Sequence, residues 1–91
     1  MSNDNYTQNE THVILLMKNY GFSARGVGRQ LGLSYKTINN ALNPYFQVLV
    51  ADKTLKRIHD RVTALLITAG WDGDREALWE EYKTSDRKRA A

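Results

Sequence analysis

Asparagine side chains are concentrated in the segment 35–43, which contains Asn39, Asn40 and Asn43. A carboxamide donates and accepts hydrogen bonds in one plane, so it can pair with both N6 and N7 of adenine in the major groove of DNA. If the segment is helical, with about 100° per residue, its polar side chains share one arc about 140° wide. In order around the helix these are Tyr35, Asn39, Asn43, Lys36 and Asn40. The opposite arc carries Ala41, Ile38 and Leu42. One face of this helix can therefore pack while the other hydrogen-bonds to a partner.

The alternative is that this arc is only a solvated helix face, as found on any surface helix. A face chosen for solubility would more often use Glu, Lys, Gln or Arg, which are good helix formers. Asn39 and Asn40 in mid-helix instead reduce helix propensity. The choice of asparagine therefore favours recognition of a partner over solvation.

Basic side chains accompany this segment. The stretch 11–51 contains no Asp or Glu, and its bases are Lys18, Arg25, Arg29 and Lys36. The formal net charge of the whole chain is only +3, so the basic character is local. A field of one sign suits a polyanion. Ser23 at a helix N-terminus, with Arg25 and Arg29 nearby, could bind a phosphate, although the two arginines could also be ordinary surface charges.

The elements that position these residues are predicted from apolar spacing and cap residues. Apolar residues at i, i+3, i+4 and i+7 predict helices that begin at 10 or 11 and end at 20, and from 23 to 31. Further helices are predicted from 34 to 42 or 43, from 52 to 69, and from 74 to about 82. Ser23, Ser34, Asp52 and Asp74 are the expected N-caps. The apolar run 13–17 could also form a strand, and 44–51 could be an ordered loop, a short strand or a dimer-forming segment.

Together these elements predict an all-α fold, a compact bundle of about five helices. The helices 23–31 and 34–43 are joined by a short turn, and Gly32 there can adopt the left-handed conformation that such a turn needs. Gly28 supplies a small residue where the two helices cross, which makes the pair typical of a helix-turn-helix. We expect one DNA-binding domain over 10–83 with C-terminal dimerisation helices, a flexible segment 1–9 and a basic tail 84–91.

The segment 27–42 resembles the helix-turn-helix of lambda-repressor-like phage regulators, which include the Cro proteins, and particularly the Ner-type regulators of transposable phages. The matching residues are 29–32 (RQLG), Ser34 and 37–42 (TINNAL), preceded by a helix that matches 12–20. The resemblance covers about 11–43 and implies a compact helical domain that binds operator DNA, often as a dimer. It implies base-facing roles for Tyr35, Lys36, Asn39 and Asn40, and phosphate contacts for Ser23, Arg25 and Ser34.

The chain departs from this family in two places. Where the family usually has Ala at the helix crossing, this chain has Gly28. Relative to Ala, Gly28 and Gly26 should each destabilise the helix 23–31 by about 1 kcal/mol. The predicted helix 52–69 is longer than the family pattern and closer to the helix that follows the motif in lactose-repressor-type headpieces. The dimer geometry of the family therefore cannot be transferred.

Aromatic and β-branched residues outside the motif are candidates for a homodimer interface, because aromatic residues are enriched at interface cores. The candidates are Tyr45, Phe46, Val48, Val50, Trp71 and Trp79. The simplest alternative for Trp71 and Trp79 is that they belong to the core.

Other chemistry is poorly supported. There is no Cys, so no disulfide and no Cys-ligated metal is possible. His12 and His59 lie in different predicted helices, and Asp72–Asp74 lacks the ligand spacing of a calcium loop. We expect no enzyme activity, no cofactor, no metal and no small-molecule ligand. The longest apolar run, 13–17, is too short to span a bilayer and no signal peptide is apparent, so we expect a cytoplasmic protein.

These observations predict a sequence-specific DNA-binding transcriptional regulator, a phage or mobile-element repressor that binds operator DNA as a homodimer. One alternative is an architectural, excisionase-like or small-terminase-like protein, in which the same motif binds DNA but assembly is the function. The other is a protein-interaction module such as an antirepressor, whose polar helix binds a protein.

Overall fold

The structure is a computed structural model that describes residues 11–80 and 82. Helices dominate this part of the chain: α1 His12–Asn19, α2 Ala24–Leu31, α3 Tyr35–Ala41, a 3-10 helix Gln47–Leu49, α4 Asp52–Thr68 and α5 Arg75–Leu78. The described residues contain no strand, which confirms the predicted all-α class and shows that the strand alternatives for 13–17 and 44–51 were wrong. The predictions for 1–9 and 84–91 lie outside the described residues.

Short side chains fix the N-terminal ends of four of these helices. Thr11 Oγ1 accepts from the Ile14 amide, Ser23 Oγ from Gly26 and Ser34 Oγ from Thr37. Asp74 accepts in the same way from the Glu76 amide. Each cap satisfies an amide that has no partner within its helix. The predicted caps at 23, 34 and 74 are confirmed.

The predicted cap at Asp52 was wrong. Ala51, in extended conformation, occupies the cap position of α4 and makes no side-chain capping bond, while Asp52 is the first helical residue. A carboxylate in the first turn still interacts favourably with the positive end of the helix dipole. The apolar pattern that begins at Leu55 therefore predicted the position of the helix. Its first residue could not be predicted from Asp52, because aspartate is favourable both at the cap position and in the first turn.

One core joins the helices. Val13 and Met17 of α1 contribute to it, as do Val27 of α2 and Ile38 of α3, all of them almost completely buried. The long helix α4 adds a stripe at helical spacing, namely Leu55, Ile58, Val62 and Leu66. This helix packs against both α2 and α3. The predicted apolar stripe of α4 is thus what fixes the pair α2 and α3 on the bundle. Within the described residues, no helix has the length and hydropathy needed to cross a membrane.

Gln47 is a polar residue inside this core. Its side chain is completely buried, its Nε2 donates a long bond of 3.4 Å to the Pro44 carbonyl, and its Oε1 accepts no hydrogen bond from the described residues. A buried acceptor without a donor costs about 1–3 kcal/mol of folding free energy. Gln47 therefore lowers the stability of the fold. Its place in the largely apolar run 45–50 does not indicate this.

We expect Gln47→Met to raise the free energy of unfolding by about 1 kcal/mol, because methionine has nearly the same shape and removes the buried oxygen. Chemical denaturation of the two proteins measures the difference. Gln47→Glu is the control, and it should destabilise because it places a carboxylate at a fully buried position. A Gln47→Met protein less stable than the parent would contradict a net cost of the buried amide at this position.

Candidate nucleic-acid interface

The crossing of α2 and α3 is unusually close. The turn between them begins at Gly32, which has φ 71°, and the Leu33 amide donates to the Gly28 carbonyl at 2.8 Å. A Cβ atom placed on Gly28 would lie 2.6 Å from the Leu33 carbonyl oxygen and 3.4 Å from Ile38 Cγ1. The glycine at 28 is therefore required by the backbone. Alanine, which the family pattern leads one to expect here, does not fit.

The outward face of α3 has the composition predicted from the helical wheel. Tyr35 and Lys36 are exposed at the first turn, and Asn39 and Asn40 are half-buried in the second. Ile38 and Ala41 are completely buried on the other side. A surface helix whose amides are held partly against the fold presents them with less conformational freedom than long charged side chains would have. We use the name polar face of α3 for Tyr35, Lys36, Asn39 and Asn40.

Asn43 does not belong to this face, and its assignment to a DNA contact was wrong. Only 6% of Asn43 is exposed, and its Oδ1 accepts a hydrogen bond of 2.8 Å from the Tyr45 amide. The helix ends at Ala41, so the helical wheel does not extend to 43. Asn43 instead shapes the turn that leads past Pro44 into the 3-10 helix.

The N-terminal part of α2 lies beside the polar face of α3. The guanidinium carbon of Arg25 is 4.5 Å from the centre of the Tyr35 ring, a distance at which a cation and a π face attract each other. Arg29, one turn further along α2, is exposed. No carboxylate of the described residues forms an ion pair with Arg25, Arg29 or Lys36. Their charges are thus available to an anionic partner.

The two serines predicted to meet phosphates are both exposed caps. The Ser23 oxygen accepts from the Gly26 amide at 3.1 Å, which leaves its hydroxyl hydrogen able to donate. Ser34 accepts from the Thr37 amide at 3.2 Å and shares a hydroxyl–hydroxyl bond of 2.9 Å with Thr37. Both serines therefore stand at helix N-termini that face solvent, where the positive end of the helix dipole favours an anion.

A second set of residues, not predicted from the sequence, contacts the C-terminal end of α3. Thr11 Oγ1 and the Tyr82 hydroxyl both donate to the Leu42 carbonyl, at 2.9 Å and 2.6 Å. His59 Nε2 donates to the Ala41 carbonyl at 3.0 Å. Burial lowers the pKa of His59 below its ordinary value of 6.5, and this effect outweighs the Ala41 carbonyl and Asp60, which raise it. The sequence holds one signal for this, since His59 directly follows Ile58 of the apolar stripe.

The residues predicted to dimerise differ in exposure. Tyr45 is 79% exposed, and Phe46 and Val48 are less exposed beside it. Leu49, which was not among the predicted residues, is 70% exposed in the same segment. Val50 is only 7% exposed and belongs to the core, so its assignment to an interface was wrong. Trp71 and Trp79 are half-buried against the core, and the Trp71 ring folds over Gly73. Both tryptophans therefore take part in the packing of this chain, as the simpler interpretation of the sequence expects.

Comparisons with protein-family models, with curated proteins and with solved structures found no match. The described residues include no group of three or more His, Asp or Glu side chains that could hold a metal ion. The residues described at this site offer hydrogen bonding by amides and hydroxyls, together with the positive charges of Arg25, Arg29 and Lys36.

Proposed function

We propose that this protein is a sequence-specific DNA-binding transcriptional regulator that reads operator DNA with a helix-turn-helix formed by α2 and α3. The observation that carries the proposal is the juxtaposition of the polar face of α3 with an acid-free basic surface on α2. The close crossing at Gly28 keeps the start of α3 directly against α2. An amide-bearing helix beside arginines that form no ion pair within the described residues has the chemistry needed in a major groove, which admits one helix and displays distinct donors and acceptors for each base pair.

The roles we assign divide the surface into two parts. Asn39 and Asn40 read base edges, and Tyr35 and Lys36 at the first turn of α3 contact bases or the sugar–phosphate edge. Ser23, Arg25, Arg29 and Ser34 bind phosphates, which positions the protein but carries no sequence information directly. Arg25 links the two parts because its guanidinium lies over Tyr35, so an arginine bound to phosphate also orients the first aromatic side chain of α3. The resemblance of 27–42 to phage regulators supports a repressor of a phage or mobile element, acting in the cytoplasm of its host.

We also propose that the protein acts as a homodimer through the surface formed by Tyr45, Phe46, Val48 and Leu49. These side chains are exposed, and the stretch 37–51 that contains them has no charged residue. Two copies, each with a formal net charge of +3, can therefore meet there without like charges in contact. A dimer gains from binding two half-sites, because the second contact is intramolecular.

We expect Leu49→Glu to shift the protein from dimer to monomer and to weaken binding to a two-fold symmetric site by about 100-fold or more, because linked half-sites gain that much. Analytical ultracentrifugation and a DNA titration measure the two effects. Ile67→Glu is the matched control, since Ile67 is another exposed aliphatic side chain but lies on α4. Equal effects of the two substitutions would contradict the assignment of this surface to the dimer.

Titration of duplex DNA at several salt concentrations tests the proposed function. We expect affinity to fall steeply with salt, since each phosphate contact releases a condensed counterion, and we expect one sequence to be preferred over random duplex. Binding that is tight but indifferent to sequence would favour the architectural alternative. No binding at low salt would overturn both DNA hypotheses and leave the protein-interaction module.

A further inference from the structure

The C-terminal end of α3 receives hydrogen bonds from three distant parts of the chain. Thr11 caps α1, His59 lies in the middle of α4 and Tyr82 follows α5, yet all three donate to the adjacent carbonyls of Ala41 and Leu42. The last carbonyls of any helix lack partners within the helix. In α3 these carbonyls therefore connect the end of the helix to other parts of the fold by hydrogen bonds.

His59 and Tyr82 belong to one packed cluster with Trp79. The His59 and Trp79 rings are stacked, with centroids 4.0 Å apart and planes 11° from parallel. Tyr82 meets both rings edge-on, at 5.2 Å from His59 and 5.1 Å from Trp79. Trp79 Nε1 donates to Thr63 Oγ1 at 2.8 Å, and Thr63 donates in turn to the His59 carbonyl at 2.8 Å. Each ring of the cluster is thus held by its neighbours as well as by a hydrogen bond.

The helix α3 depends on this cluster for support because it is short. Its seven residues from Tyr35 to Ala41 make about two turns, and an isolated helix of that length is not stable in water. The half-buried amides of Asn39 and Asn40 lie in its last turn, directly before the carbonyls that the cluster holds. A shift of those carbonyls would move the two side chains that we assign to base recognition.

We propose that His59, Trp79 and Tyr82 are positioning residues of the DNA-reading helix, which fix the C-terminal end of α3, and that a proton added to His59 weakens the packing of this cluster, although Nε2 can still donate to Ala41. The inference rests on the proposed function, because it makes DNA binding by the polar face of α3 dependent on pH. It assigns a role in recognition to residues that lie far from the polar face in sequence.

The surroundings of His59 determine the direction of the effect. From α3 it meets the uncharged Ala41 carbonyl, and from the C-terminal segment the uncharged rings of Trp79 and Tyr82, whose hydroxyl already donates to Leu42. The hydrogen bond to the Ala41 carbonyl and, on its own helix, Asp60 favour the charged ring, but burial outweighs both and lowers the pKa of His59. The folded state therefore binds this proton less readily than the unfolded state. The contribution of neutral His59 to stability is complete above the ordinary pKa of 6.5 and is lost as the pH falls below it.

The test compares the parent with His59→Gln, in which the amide can still donate to Ala41 but does not titrate. In the free protein, we expect the amide NMR shifts of Leu42 and Asn43 to change with the same midpoint as the His59 ring, and this change to vanish in His59→Gln. We expect the parent to lose DNA affinity as the pH falls from about 7.5 to about 5.5, by less than about tenfold because the pKa of His59 lies below 6.5, and His59→Gln to lose much less. His12→Gln is the matched control and should behave as the parent does.

Further variants separate positioning from mere packing. His59→Phe keeps a ring against Trp79 but loses the donor, and Tyr82→Phe loses only the hydroxyl. Both should weaken DNA binding at about pH 7.5 by about 3- to 10-fold, which corresponds to one hydrogen bond. Both should also shift the Leu42 and Asn43 amides in the free protein.

Failure of the inference and failure of the proposed function give different results. If the Leu42 and Asn43 amides of the parent did not change with pH, or changed with the same midpoint in His59→Gln, the positioning role would be overturned while operator binding stands. DNA binding with the same pH profile in parent and His59→Gln would overturn it too. A parent that binds no DNA at either pH, yet shows the amide change, would overturn the proposed function. The cluster would then hold α3 without serving DNA recognition, and the inference would fall with it.

Discussion

Replacement of Gly28 by alanine is expected to lower the free energy of unfolding by about 1–3 kcal/mol, the range found when an atom is forced into a packed region. Helix propensity alone predicts the opposite, since alanine in α2 should gain up to about 1 kcal/mol. The geometry decides the sign, because the new methyl group would lie 2.6 Å from the Leu33 carbonyl oxygen. That oxygen belongs to the backbone of the turn and cannot rotate away. The helices must therefore separate or the turn must shift.

Gly26→Ala is the matched control for this substitution. It lies in the same helix, but its new Cβ would meet only the Ser23 side-chain oxygen, at 3.3 Å, and a side chain can adjust. We expect it to be neutral or stabilising by up to about 1 kcal/mol. Denaturant titrations of the three proteins, analysed with a common slope, measure both effects. A Gly28→Ala protein as stable as Gly26→Ala would contradict the close crossing of α2 and α3.

The second large effect concerns DNA recognition. Asn39→Ala is expected to cost about 1–3 kcal/mol of binding at one base pair and to relax the preference there, as loss of a bidentate amide–adenine contact does. Arg25→Ala is expected to weaken binding to all sequences alike and to reduce the slope of log affinity against log salt by about one phosphate contact. Competition titrations against sites altered at single base pairs distinguish the two outcomes.

The controls for these substitutions are available on other helices. Asn19→Ala removes an exposed asparagine of α1, and Arg61→Ala removes an exposed arginine of α4. Neither should change specificity. Folding is not at risk in Asn39→Ala, since alanine raises helix propensity by up to about 0.7 kcal/mol. Loss of specificity would then accompany equal or greater stability. If Asn39→Ala left the preferred sequence unchanged, the polar face of α3 would not be the reading surface that we propose.

The sequence was sufficient to predict most of the helices and their caps, because these depend on local chemistry. Ser23 and Ser34 had no rival nearby as caps, and the left-handed conformation at Gly32 is one that glycine adopts without strain. Asp52 was misplaced by one position, since an acid stabilises a helix start both at the cap and in the first turn. Here the local signals agree on the helix but not on its first residue.

The candidate site was predictable only where it follows from one helix. The polar and apolar sides of α3 could be calculated from a wheel, but Asn43 lies beyond the end of the helix and turns inward to bind the Tyr45 amide. The long-range bonds from Thr11, His59 and Tyr82 to the end of α3 join residues 18 to 40 positions apart. No periodicity encodes such contacts. The need for a small residue at Gly28 could be predicted from the sequence. The distance between the two helices there, which excludes even alanine, could not.

The central claim is that the polar face of α3 reads a defined DNA sequence, and selection of bound sequences from a pool of random duplexes tests it most directly. We expect one two-fold symmetric site whose half-sites lie about 34–36 Å apart, one turn of DNA, and expect Asn39→Ala to lose selectivity at one position of each half-site. Enrichment of no sequence by the parent protein would contradict the claim.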